Sequence, residues 1–147
     1  MRGFRRQRDG FRVGLVRHER DLLRELCERL AAELVSEGED EGLARLFPPA
    51  YDDGDAAAEY ERLVRPDLAD GKIAALRRVA DTAGADRLDG ETAETWLRAL
   101  NDLRLVLGTR LGVTEDTLIG IPTRPALAIY GWLTWLQGEL IEALSAS

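Results

Sequence analysis

A chain of 147 residues that is 45% apolar and 32% charged has one domain's worth of length and enough hydrophobic side chains for a core, which excludes disorder. A net charge of −7 argues against a surface given over wholly to nucleic acid. One cysteine excludes an internal disulfide, so nothing points to secretion.

The charge is unevenly spread. Six arginines (Arg2, Arg5, Arg6, Arg8, Arg12 and Arg17) stand against the single acid Asp9 at the start, whereas nine acids stand against Arg45 between Glu37 and Glu61. The arginine-rich start lacks the apolar core of a signal peptide. The most hydrophobic run, Ala126 to Leu136, is too short to span a bilayer. The expectation is a cytoplasmic protein with no membrane segment.

The first element is a hairpin. Phe4 to Val13 places Asp9-Gly10 between two short extended segments, and Asp-Gly suits a type I′ turn. Leu23, Leu26, Leu30 and Leu34 then recur at spacings of three and four, predicting a helix over Glu19–Val35. A loop from Glu37 to Asp55 contains a helical turn at Leu43 to Phe47, stopped by Pro48-Pro49. Ala56 to Val64 predicts a helix ended by Pro66. Asp67 is placed to cap another from Leu68 to Ala83, with Gly84 as its stop. Asp89 caps a long helix from Gly90 to Leu111 closed by Gly112. Thr123 caps the last, with Pro125 in its first turn, running to about Leu144.

The fold class is therefore mainly α: a compact helical bundle around a central long helix, with a small N-terminal β-hairpin. Residues 1–147 read as a single helical domain, with 1–16 the hairpin arm and 17–147 the helical body.

The long helix is the central one because it is apolar around most of its circumference. Ala93, Leu97, Leu100, Leu103, Leu107 and Leu111 fall within about 100° of Trp96. Arg98, Thr109, Asp102 and Thr95 share a narrow polar strip that should face water. Arg104 does not belong to that strip. It falls at about 80°, between leucines, with Asn101 one turn earlier. A guanidinium there must snorkel outward or meet a carboxylate, so Arg104 and Asn101 are expected as a structural buried ion pair or polar contact. Gly108 costs about 1 kcal/mol in a helix and implies close approach of another backbone.

The run Asn101-Asp102-Leu103-Arg104-Leu105-Val106-Leu107-Gly108 also carries a resemblance. With Phe11 to Leu23, Leu43-Ala44-Arg45-Leu46-Phe47-Pro48 and Glu59-Tyr60-Glu61-Arg62-Leu63, it resembles the actinobacterial family called domain of unknown function 2017, over nearly the whole chain. That family is associated with actinomycete oxidative-stress transcription regulators. The resemblance implies a cytoplasmic regulator that senses oxidation through paired thiols and works with an alternative sigma factor. Cys27 is the only cysteine, so a two-thiol switch within this chain is not carried over.

No glycine-rich phosphate loop is present. His18-Glu19 begins a zinc-protease motif, but Leu22 stands where the second histidine belongs. One histidine and one cysteine cannot build a structural zinc site in a monomer. Asp52-Asp53-Gly54-Asp55 lacks the ligands of a calcium loop and reads as an acidic turn. The expectation is no metal, no cofactor and no catalytic residue. Cys27 sits among Leu23, Leu26, Leu30 and Leu34, where a thiol is a core side chain with a doubtful redox role.

Two features invite partners. Arg2, Arg5, Arg6, Arg8 and Arg12 form a candidate contact arm for DNA phosphates or an acidic protein, or else a solvated ribbon balancing the acidic middle. Leu127, Gly131, Thr134, Gly138 and Ile141 form a second face of the last helix, opposite the core stripe, suited to close packing or a homodimer. The functional expectation is a non-catalytic regulator acting through protein contacts (a sigma factor by resemblance) or DNA. The alternative is a helical adaptor or scaffold with no DNA or redox role.

Overall fold

A computed structural model describes residues 3–36, 41–47, 54–112 and 125–146. Arg2, Pro48-Pro49, Asp52, Asp53 and the Thr123 cap lie outside the described residues. The elements run β1 (Phe4–Gln7), β2 (Gly10–Val13), α1 (Arg17–Val35), α2 (Glu41–Ala44), α3 (Gly54–Thr82), β3 (Arg87–Leu88), α4 (Gly90–Leu111) and α5 (Pro125–Ser145). The mainly α class and the N-terminal hairpin hold.

Helix α4 touches α1, α2, α3, α5 and the strands β2 and β3, as the breadth of its apolar surface requires. Its boundaries follow from local chemistry. Asp89 accepts the Thr92 N–H at 2.7 Å, filling one of the four donors a helix start leaves open. Those bonds hold the exposed Asp89 carboxyl below the usual carboxylate range. Gly112 ends the helix with φ 65° and ψ 36°, a conformation that favours glycine.

Beneath α4 the indole of Trp96 is fully buried. It meets the Phe4 ring edge-on at 5.8 Å and donates to Thr82 Oγ1 at 2.8 Å, so its one polar atom is satisfied. Leu23, Leu76, Leu100, Leu133, Leu136 and Leu140 complete the centre of a core that also takes in Phe11 and Leu88 from the sheet.

Three expectations are corrected. Gln7 pairs with Gly10, so the hairpin turn is Arg8-Asp9, and Gly10 opens β2. Gly10 has φ 147°, and a Cβ there would strike the Leu88 carbonyl oxygen. Glycine is needed for the approach of β3, a strand that hydrophobic patterning did not predict. Second, the two helices split at Pro66 are one helix, α3. A proline removes one N–H donor and crowds one carbonyl, while the turns beyond it keep their own bonds and pack on α1 and α4. Third, α3 ends at Thr82, and the Ala85 N–H donates to the Thr82 carbonyl at 2.9 Å. Gly84 has no positive φ and is not a left-handed cap.

Arg20 joins sheet to helices. Its side chain is 13% exposed. It donates to the carbonyls of Leu15 at 2.9 Å, Val13 at 3.1 Å, Ala83 at 3.2 Å and Ala85 at 2.5 Å, and lies 3.5 Å from Asp86. One planar fork thus ties the exit of the hairpin to the α3–β3 connection. Glu19 makes a second tie. One oxygen accepts the Val16 N–H at the start of α1 at 2.9 Å, and the other accepts Trp132 Nε1 of α5 at 3.0 Å.

Candidate contact surface

The three strands form a sheet in the order β1-β2-β3, both pairings antiparallel. Alternation sends Phe4, Phe11, Val13 and Leu88 into the core and their neighbours outward. The register sets Arg5 opposite Arg12 and Arg12 opposite Arg87, all three exposed. With strands about 4.8 Å apart, three guanidinium stems start within about 10 Å of one another.

Like charges directly opposite on a sheet are destabilising. Among the described residues none of the three makes an ion pair. The nearby Asp86 is already engaged by Arg20. An unneutralised basic row on an acidic chain can hold an anionic surface.

The rest of the predicted arm divides. Arg8 is exposed in the turn. Arg6 is tied down: its guanidinium lies over the Phe11 ring at 5.5 Å and donates to the Leu144 carbonyl at 3.2 Å. That carbonyl belongs to the last turn of α5, where a cation also suits the helix dipole. Arg6 therefore anchors the hairpin and leaves Arg5, Arg8 and Arg12 to face outward. Sequence reasoning missed Arg87, because a two-residue strand has no periodicity to read.

Other predicted residues fall away from the sheet face. The ion pair expected at Arg104 forms elsewhere. Arg104 is half-buried and makes no ion pair among the described residues. Asp102, expected in a wet strip, is buried and held by Lys72 at 3.2 Å. Helix α3 packs against α4 and covers Asp102, while Arg98 of the same strip stays exposed. Asn101 is half-buried and accepts from Gln137 Nε2 at 3.4 Å.

Gly108 admits the Tyr130 ring, whose nearest atom would lie 2.9 Å from a Cβ, so a side chain rather than a backbone makes the close approach. Cys27 is fully buried, and burial first, Glu28 second, pushes its thiol up to about 12. On α5, Leu127 is buried and Gly131 half-buried, while Thr134, Gly138 and Ile141 are exposed. No group of His, Cys, Asp or Glu suited to a metal occurs among the described residues.

Residues 1–144 match the family model described as Domain of unknown function (DUF2017). The chain is 33% identical over 131 residues to an AosR protein of Mycobacterium leprae, an alignment covering 74% of this chain and 60% of that one. It is 32% identical over 130 residues to the proteins named oxidative stress regulator AosR in Mycobacterium bovis and Mycobacterium tuberculosis, with the same coverage. The chain thus spans 60% of the length of the curated relatives it matches. No solved structure matches it.

Proposed function

The chain belongs to the domain of unknown function 2017 family, and from that premise we propose that it is a non-catalytic regulator of the oxidative stress response. In this proposal it works in the cytoplasm by presenting the row Arg5-Arg12-Arg87 to an acidic partner protein. The row carries the reading. It concentrates positive charge, with none of the three arginines in an ion pair among the described residues, on a chain of net charge −7.

An acidic protein surface suits the row better than duplex DNA. Proteins that grip a duplex neutralise about 6–10 phosphates, more than three arginines within about 10 Å can reach. A sigma factor, the partner implied by the family resemblance, is the first protein to test. The single, buried Cys27 leaves an intrachain disulfide out of the proposal. Among the described residues no helix is long and apolar enough to cross a membrane.

The test is salt-titrated binding of the full chain to sigma factors of its host and, separately, to duplex DNA. Sigma-factor binding should weaken with salt and be lost in an Arg5→Ala/Arg12→Ala/Arg87→Ala variant. Binding of either partner that ignores the triple substitution would refute the arginine row as the contact.

A second reading, a helical interaction module with no DNA or redox role, draws on α5. From Pro125 to Gly138 that helix carries no charge, yet Trp135 and Ile141 are 43% and 45% exposed. Pairing of two copies through this face belongs to that reading.

A further inference from the structure

Between α3 and α4 lies an open groove of about 510 Å³. It is lined by Lys72, Arg98, Asn101 and Asp102, and by Asp67, which precedes Lys72 by about 7.5 Å along α3. Lys72 bonds both oxygens of Asp102, at 3.2 and 3.3 Å, which leaves the third ammonium N–H unused. Arg98 donates one N–H to Thr95 at 3.3 Å and makes no ion pair among the described residues. Asn101 uses its oxygen on Gln137, so its NH2 keeps two donors. Asp67 is exposed and likewise makes no ion pair among the described residues. Three donor side chains and, about 7.5 Å along α3 from Lys72, the carboxylate of Asp67 thus line one groove, in which two cations balance two carboxylates.

Gly71 supplies the second observation. It lies inside α3 with no positive φ, and a Cβ there would meet nothing within 4 Å. Glycine in a helix interior costs about 1 kcal/mol relative to alanine, and no contact among the described residues calls for it. The missing side chain keeps the groove open between Asp67 and Lys72.

We propose that this groove binds a small zwitterion bearing a carboxylate and a primary ammonium, of which a free amino acid is the simplest. The carboxylate takes the free N–H groups of Lys72, Arg98 and Asn101, and the ammonium takes Asp67. A ligand of either single charge leaves one end of a neutral groove unmatched. This site is separate from the arginine row of the sheet and stands whether or not that row binds a partner.

The experiment titrates the full chain with each of the twenty standard L-amino acids at millimolar concentration, following the melting temperature and backbone amide shifts in α3 and α4. Propionate and propylamine serve as probes of the two charges alone. At least one amino acid should bind, at least tenfold more tightly than either half-ligand.

Gly71→Leu fills the groove without an internal clash at Cβ and should keep the fold while weakening binding at least tenfold. Arg98→Gln, at an exposed position, should weaken it by a similar factor. No binding by any of the twenty, or binding undiminished in Gly71→Leu, would overturn the site. Propionate binding as tightly as the amino acid would overturn the zwitterion assignment.

Discussion

Lys72 and Asp102 face each other across the α3–α4 seam, their side chains 25% and 9% exposed. Burial pushes the Asp102 carboxyl up from its usual range, and the Lys72 ammonium pulls against that rise. Removing one partner of such a pair strands the other, while removing both can be nearly neutral. Lys72→Met is expected to cost about 2 kcal/mol, the groove's openness to water reducing the fully buried figure. Lys72→Met/Asp102→Leu should lie within about 1 kcal/mol of the parent.

The sign with pH follows from the raised pKa. The folded chain binds a proton that the unfolded chain has lost, so stability falls as pH rises from about 3.9 through the raised value. The deficit of Lys72→Met should therefore shrink on acidification through that window. Urea unfolding of the parent, both single variants (Lys72→Met and Asp102→Leu) and the double variant at neutral and mildly acid pH measures all of this, and strictly additive costs would contradict the coupling.

Arg20 exerts its effect through carbonyls rather than through charge pairing. Arg20→Ala leaves four partly buried acceptors, those of Val13, Leu15, Ala83 and Ala85, to find other donors. The expected loss is about 2–4 kcal/mol. Arg20→Lys should recover little of it, because one ammonium cannot span the positions that a planar fork reaches. Hydrogen exchange should locate the damage in the hairpin, with the α4–α5 contact protected as before. A lysine variant as stable as the parent would refute the role of the fork.

Features governed by neighbours in sequence were legible in it. The hairpin, the Leu23–Leu34 stripe, the Asp89 and Gly112 ends of α4 and its central place all rest on short-range rules of turn chemistry, period and capping. Features governed by distant packing were not. Asp102 reads as a polar residue among polar neighbours until α3 covers it with Lys72, thirty residues away. Arg20 reads as one more surface arginine until two carbonyl-rich connections converge on it. Two of the three arginines of the basic row, Arg5 and Arg12, were visible. Arg87 joins them only through strand pairing across more than seventy residues of chain.

Cys27 should behave as a core side chain. A thiol raised to about 12 by burial carries almost no thiolate at neutral pH, so a thiol reagent should label the folded protein only as fast as it opens. A peroxide-treated sample should show no disulfide-linked dimer. The unfolded thiol ionises from about 8.5, whereas the folded one stays protonated to about 12. Stability should therefore fall by about 1.4 kcal/mol for each pH unit above that lower value. Cys27→Ala should remove this alkaline slope, and rapid labelling of the native protein would contradict the burial.

Three helical glycines should respond to alanine with opposite signs. At Gly131 and Gly138 of α5 a Cβ would meet nothing within 4 Å, so alanine gains helix propensity without a clash. Each substitution should stabilise the monomer by about 0.5–1 kcal/mol. At Gly108 of α4 the Cβ would sit 2.9 Å from the Tyr130 ring, in a buried position. Overpacking of that kind costs about 1–3 kcal/mol, which exceeds the propensity gain, so Gly108→Ala should lose about 1 kcal/mol net. Thermal unfolding of the three variants at low protein concentration tests the signs. Sedimentation at high concentration then addresses the α5 face itself. If two copies pack there through their glycines, Gly138→Leu should shift the protein to monomers while leaving its helicity unchanged. Stabilisation at Gly108 would mean that the α4–α5 seam is not packed as described, and destabilisation at Gly138 in the dilute monomer would mean that its side of α5 is not open.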